Sequence, residues 1–281
     1  MSERNTTRRR QLGAMMRKLR ARKALTLEEA GRRVGVSKAT ISRYETQSGP
    51  VKWIVIDALC REYGASDTER QAVVRLAKEA RQQGWWSSFA DSIPESMNLL
   101  LTLEDEAVRE NHFSCVYVPG LLQTRAYCTA LQKANEVPLA SEEIERIVDI
   151  RMKRQEILDR PEPPHLWAIL DESVIRRVVG SPAIMREQLG QVLDAAGSGH
   201  VTVQVLPFSK GAHAAALGSF VILGGREASL DVVYVDFHAG SLFLEKDDEL
   251  SRYRLAFDYL RAQALDMEAS AAMIDHARRE L

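Results

Sequence analysis

The chain has 281 residues, 45% of them hydrophobic and 27% charged, which supplies a packed core and enough length for two domains. It has no run of about 18 apolar residues, and its arginine-bearing start lacks an apolar stretch, so neither a membrane span nor a secretory signal is expected. The formal net charge of −1 hides a segregation: residues 1–82 hold 19 Lys and Arg against 9 Asp and Glu, and residues 83–281 hold 19 against 30.

A basic segment joined to an acidic one suits a nucleic-acid module carried by something else. In the basic part, residues 8–23 (RRRQLGAMMRKLRARK) place Leu12, Met16 and Leu19 at i, i+4 and i+7, one apolar stripe on a basic helix. In LTLEEAGRRVG, Thr26 sits where an N-cap belongs and Glu28 and Glu29 favour the first turn through the helix dipole. Leu27, Ala30 and Val34 then form the buried face. Gly35 follows as the left-handed residue that lets the chain turn, and Ser37 caps a third helix over 37–46. Helix, glycine-containing turn and capped helix at this spacing predict a helix-turn-helix.

The third helix turns Ile41 and Tyr44 inward and carries short or basic polar residues elsewhere, as entry into a major groove requires. Lys38 and Arg43 are candidate donors to guanine O6 and N7, and Ala39 is a candidate contact for a thymine methyl. Ser37, Thr40 and Ser42 complete the DNA-facing set through base edges or phosphates. Arg17, Arg33 and Lys52, near the ends of flanking helices, are candidate phosphate contacts, with Arg8-Arg9-Arg10 as an arm along the backbone. Glu45 is expected to pair within the domain with a first-helix arginine such as Arg20. A fourth helix over 51–64 buries Trp53, Ile56, Cys60 and Tyr63, and a fifth over 67–82 opens with Asp67 as its cap. GWWSS at 84–88 marks a boundary, its tryptophans packing the linker onto the second domain.

LTLEEAGRRVGVSKATISRYE resembles the DNA-binding core of Xre-type regulators, the Cro and lambda-repressor class, over about residues 12–65. The resemblance implies a five-helix all-α domain whose third helix lies in the major groove. Leu27 stands where many members carry a glutamine that orients a contact, so that contact must come from elsewhere or be absent.

From about residue 93 the pattern changes. A helix is predicted over 95–110, a short buried strand in FSCVYVPG, a helix after Pro119-Gly120, and a long helix over 141–160 capped by Ser141. HLWAIL reads as a strand and 183–196 as a helix behind Pro182. Four strand-like runs come next, VTVQVLPF, SFVILGG, DVVYVDF and SLFLEK, and helices over 247–264 and 267–280 close the chain. This is an α/β or α+β domain with a mixed or antiparallel sheet. The expected division is 8–82 for DNA binding, 83–92 as linker and 93–281 as an acidic partner or effector domain.

YVPGLLQTRAYCTAL, RMKRQEILDR, LWAILDESVIRRVVG, MREQL and VTVQVLPFSKGAHAA together resemble the domain of unknown function that follows the Xre module in many actinobacterial regulators. That resemblance implies an antitoxin-like regulator with a small protein partner. A small-molecule sensor is the alternative, and an enzyme tethered to DNA a third reading.

The six histidines form no HExxH-type metal pair. Asp231, Asp236 and His238 crowd one strand without a nucleophile motif; GSGH at 197–200 reads as a helix-ending turn, and His213 as a loop residue or a pocket wall. Cys60, Cys115 and Cys128, odd in number and widely spaced, suit reduced thiols better than disulfides. The expectation is a cytoplasmic, homodimeric regulator of double-stranded operator DNA, neither enzyme nor membrane protein and without cofactor or metal. One short helix reads only a few base pairs, which is why a dimer is expected.

Overall fold

The computed structural model describes residues 7–46, 52–79, 93–134, 139–215, 217–225, 231–237 and 240–281. GWWSS and His238 therefore lie outside the described residues, as do the side chains of Arg8–Arg10. Chain contacts divide the protein into two compact units, residues 1–106 and 107–281.

The first unit is helical: α1 (Thr7–Arg22), α2 (Leu27–Arg33), α3 (Lys38–Thr46), α4 (Trp53–Glu62), α5 (Asp67–Glu79) and α6 (Glu95–Glu106). The α1 stripe of Leu12, Met16 and Leu19 packs with Ile41 of α3 and with Ile56 and Leu59 of α4. Helix α2 starts at a capping box: the Glu29 N–H donates to Thr26 Oγ1 (3.2 Å) while the Thr26 N–H donates to Glu29 Oε2 (2.8 Å). The cap of α5 is Ser66 and not Asp67. The Glu69 N–H donates to Ser66 Oγ (3.2 Å) and the Ser66 N–H to the Glu69 carboxylate (2.8 Å). A reciprocal Ser-x-x-Glu box satisfies two helix-end donors, where Asp67 as a lone cap satisfies one. Asp67 instead accepts from Arg70 (3.3 Å).

Periodicity predicts a helix to residue 110 and a strand in FSCVYVPG; the structure ends α6 at Glu106 and places β1 at Arg109–Ser114. RENHFS reads as polar, yet its ionisable side chains are engaged inside the fold. Arg109 is bound to Asp231 (2.6 and 2.8 Å) and Glu110 to His112 (2.9 Å). Helix α6 also groups with the first unit, and its successive Leu100, Leu101 and Leu103 are all buried.

The second unit continues with α7 (Arg125–Lys133), α8 (Ser141–Gln155), β2 (His165–Asp171), α9 (Glu172–Arg176), α10 (Pro182–Ala196) and β3 (Val201–Leu206). Strands β4 (Phe220–Gly224), β5 (Val232–Phe237) and β6 (Gly240–Leu244) precede α11 (Asp247–Gln263) and α12 (Met267–Arg279). The strands form one six-stranded mixed sheet in the order β3-β2-β1-β4-β5-β6, parallel from β3 to β1 and antiparallel from β1 to β6. Side chains alternate between its faces. Leu166, Ala168 and Leu170 of β2 point to Leu189 of α10 and Ile274 of α12. Ile169, Ile222 and Val233 point to Phe257 and Leu260 of α11.

Local boundaries differ from the sequence pattern in three further places. Helix α7 starts only at Arg125, capped by Thr124 Oγ1, because Gly120–Leu122 forms a separate 3-10 turn. The N-cap of α8 is Ala140, so Ser141 is its first helical residue, with Glu142 and Glu143 complementing the dipole. Helix α9, capped by Asp171, has too few residues to show a periodicity.

Candidate nucleic-acid interface

Helix α3 is held on its inner side by Ile41, Tyr44 and Glu45, all buried. Glu45 is fixed by Arg20 of α1 through a two-pronged ion pair, Nε to Oε1 at 2.6 Å and Nη2 to Oε2 at 2.8 Å. The Arg20 Nη1 also donates to the Leu25 carbonyl (2.7 Å), so all three guanidinium nitrogens are used inside the unit. Hydrogen bonding to Glu45 raises the Arg20 pKa above its ordinary value, against burial. This pair sets the roll of α3 about its axis, and with it the residues that face out.

Those residues are Ala39, Ser42, Arg43 and Thr46, spaced i, i+3, i+4 and i+7 on one stripe, with Lys38 at the helix start. Lys38, Ala39, Arg43 and Thr46 are exposed; Thr40 and Ser42 are half-buried. A run of hydrogen bonds orders the stripe. Ser37 Oγ caps the helix by accepting from the Thr40 N–H (3.1 Å) and lies 3.0 Å from Thr40 Oγ1, to which Arg43 Nη2 donates (3.2 Å). Arg43 is thus aimed along the helix surface before any ligand arrives. Ser37 and Thr40 are engaged in the cap and in holding Arg43, which makes them positioning residues in the free protein. Thr46 is absent from the residues that the sequence pattern points to, although it completes the spacing begun by Ala39.

The turn before α3 is tight. Gly35 adopts φ +71°, and a Cβ on Gly31 of α2 would lie 2.5 Å from the Val36 carbonyl oxygen. The Val36 N–H donates back to the Gly31 carbonyl (2.9 Å). Glycine at 31 lets the two helices approach.

The candidate phosphate contacts are distributed around this stripe. Arg17 Nη2 donates to the Glu45 carbonyl (3.0 Å), tying the end of α3 to α1 and committing part of its guanidinium. Arg33 is exposed and 3.5 Å from Glu62 of α4. Lys52 is exposed at the N-cap of α4 and offers no side-chain acceptor to the first helical N–H groups.

Elsewhere the chemically suggestive groups are structurally engaged. Cys60 is buried and its thiol is pushed up to about 12 by burial, so it packs and does not ionise. Asp231 is buried and bound by Arg109 and by Arg254 (2.7 Å), while Asp236 is exposed and accepts from Ser241 Oγ (2.9 Å). The His213 ring packs edge-on against Phe113 at 5.3 Å and its Nδ1 accepts from the Ala215 N–H (3.2 Å). Gly197 ends α10 and Gly199 takes φ +81°, so GSGH is a helix-ending turn. Among the described residues no group of three or more His, Cys, Asp and Glu is placed to hold a metal ion, and no helix is long and apolar enough to cross a membrane.

A helix-turn-helix domain matches residues 11–73, the segment that runs from within α1 through α4 and carries the outward stripe, and this marks a DNA-binding regulator. Neither a curated protein nor a solved structure matches the chain. The second match covers residues 97–276, well over half of the chain and nearly all of the mixed-sheet unit, and by it the chain belongs to the family described as domain of unknown function (DUF5753).

Proposed function

We propose that this protein is a cytoplasmic, sequence-specific transcription regulator of the Xre type that reads operator DNA as a homodimer through α3. Its acidic second unit binds a small protein partner and performs no catalysis. The observation that carries the DNA reading is the ordered stripe on α3: Arg43 aimed by Thr40, beside Ala39 and Ser42, on a helix rolled into place by Arg20 and Glu45. An Arg with its guanidinium free on one side suits two-pronged donation to guanine. For the partner, support comes from the resemblance of the second unit to antitoxin-like regulators and from its excess of 25 acidic over 19 basic residues across 107–281, which favours a basic or polar protein surface over nucleic acid. For a non-catalytic role, support comes from the engagement of Asp231 by two arginines.

The test is binding of Arg43→Ala and Lys38→Ala to the cognate operator and to random duplex at one fixed salt concentration. Each substitution is expected to weaken operator binding by about 1–3 kcal/mol, with a smaller loss on random duplex. Equal losses on both would make these residues phosphate contacts and remove α3 as the reading element.

A further inference from the structure

The two edges of the six-stranded sheet are treated differently. At the β3 edge the chain satisfies its own backbone: the Val205 N–H donates to Ser270 Oγ (2.9 Å), and the Val205 carbonyl accepts from the Leu265 N–H (2.9 Å). At the β6 edge no further strand is present among the described residues. β6 is GSLFL, without a charge or a proline, two of the devices that protect an exposed edge.

Register fixes what this edge offers. β5 and β6 pair as Phe237 with Gly240, Val235 with Leu242 and Val233 with Leu244. A two-residue connection closes on a hydrogen-bonded pair, so Gly240, Leu242 and Leu244 direct their backbone groups to β5. Ser241 and Phe243 direct theirs to the open edge. On the face shared with α11, that helix runs from β5 towards β3, with Tyr253 against Phe220 and Arg261 over Trp167. It leaves the corner beyond it uncovered, where Phe237 and Leu242 are each 48% exposed.

We propose that β6 is the dimer interface: it pairs antiparallel with β6 of a second copy about a two-fold axis through Leu242, joining two sheets into one of twelve strands. Ser241 of each copy then exchanges backbone hydrogen bonds with Phe243 of the other, the two residues whose donors and acceptors face outward. The two Leu242 side chains meet as a non-hydrogen-bonded pair, at the shorter Cα separation of about 4.5 Å. Gly240 stands opposite Leu244, and its missing side chain leaves room for Phe237 to lean across towards Leu244 of the other copy. No charged residue opposes another within the strand. The surface is self-complementary, as a two-fold interface must be. A strand pair is smaller than a standard interface, so association is expected in roughly the micromolar range without DNA.

The inference deepens the homodimer reading above, and its test omits DNA, so either can fail alone. Sedimentation of the full chain up to about 100 µM should show a dimer, weakened about tenfold or more by Leu242→Lys, which removes apolar burial and opposes two like charges. A second variant guards against misfolding. Leu242→Cys should give a disulfide-linked dimer with diamide as oxidant, since a non-hydrogen-bonded pair lies within disulfide reach. Leu255→Cys, 57% exposed on α11, should not. A monomer at all concentrations, a dimer indifferent to Leu242→Lys, cross-linking at both cysteines alike, or a different protein occupying the edge would each overturn the proposal.

Discussion

Two buried ion-bearing pairs organise the protein at the scale of single residues, and they work in opposite senses. Arg20 and Glu45 are fully matched, with both carboxylate oxygens occupied, so the pair fixes geometry. Glu110, on the central strand β1, is fully buried with only one oxygen partnered: Oε2 lies 2.9 Å from His112 Nε2, and Oε1 has no hydrogen-bond partner. Burial pushes its carboxyl up from 4.5 to about 7, against the opposing pull of Arg154. Linkage sets the sign. Below the unfolded value both states are protonated and nothing is lost. As pH rises from 4.5 to about 7 only the unfolded state ionises, so folding stability falls across that window and levels off above it. Glu110→Gln, neutral at every pH, should therefore match the native protein near pH 4 and exceed it near pH 8 by roughly 1–3 kcal/mol. Thermal unfolding of both proteins at the two pH values checks this; a stability difference that does not change with pH counts against it.

At the scale of elements, the helix-turn-helix depends on how closely α2 approaches the turn. Gly35 supplies the positive φ that its position in the sequence announces, but the tighter constraint is at Gly31, where an added Cβ meets backbone at 2.5 Å. Backbone cannot rotate away as a long side chain can. Gly31→Ala should therefore displace the Val36–Ser37 turn and destabilise the first unit by about 1–3 kcal/mol, the usual range for overpacking. Because Ser37 caps α3 and holds Thr40, operator affinity should fall together with thermal stability. Calorimetric scans and operator titrations of the one variant measure both; unchanged stability would mean the turn is free to shift. The capping boxes at Thr26 and Ser66 teach the same lesson in milder form: the side chain that closes two donor–acceptor pairs displaces the one that closes a single pair.

For the whole molecule, charge segregation and core segregation run in parallel. Among the described residues, the core cluster of α1 to α5 runs from Leu12 to Ala77 and includes none from α6, which touches α1. A fragment of residues 1–82 should therefore fold alone and keep non-specific binding to duplex DNA, carried by its excess of 19 basic over 9 acidic residues. Log affinity should fall linearly with log salt, by about 0.9 for each phosphate contacted. Fluorescence anisotropy on a labelled random duplex tests it, and a folded fragment that binds no duplex at low salt would break the link between charge excess and function.

The sequence by itself determined the helix-turn-helix, because its signals are local. The stripe Leu12–Met16–Leu19, the Thr26 cap, the Gly35 turn and the Ser37 cap each act within one or two turns of chain, and α1 to α3 form where they direct. The mixed sheet was legible from β2 to β6, whose apolar runs VTVQVLPF, SFVILGG, DVVYVDF and SLFLEK, with HLWAIL before them, all fall on strands. Only the tertiary structure decided β1, since the partner that neutralises Arg109 lies 122 positions away at Asp231 and no local pattern carries that distance. It likewise brought Thr46 into the outward stripe of α3, whereas the pairing of Glu45 with Arg20 across 25 positions was already expected from the sequence. Local chemistry writes helices into a sequence, whereas burial of a charge depends on a partner that only the closed fold supplies.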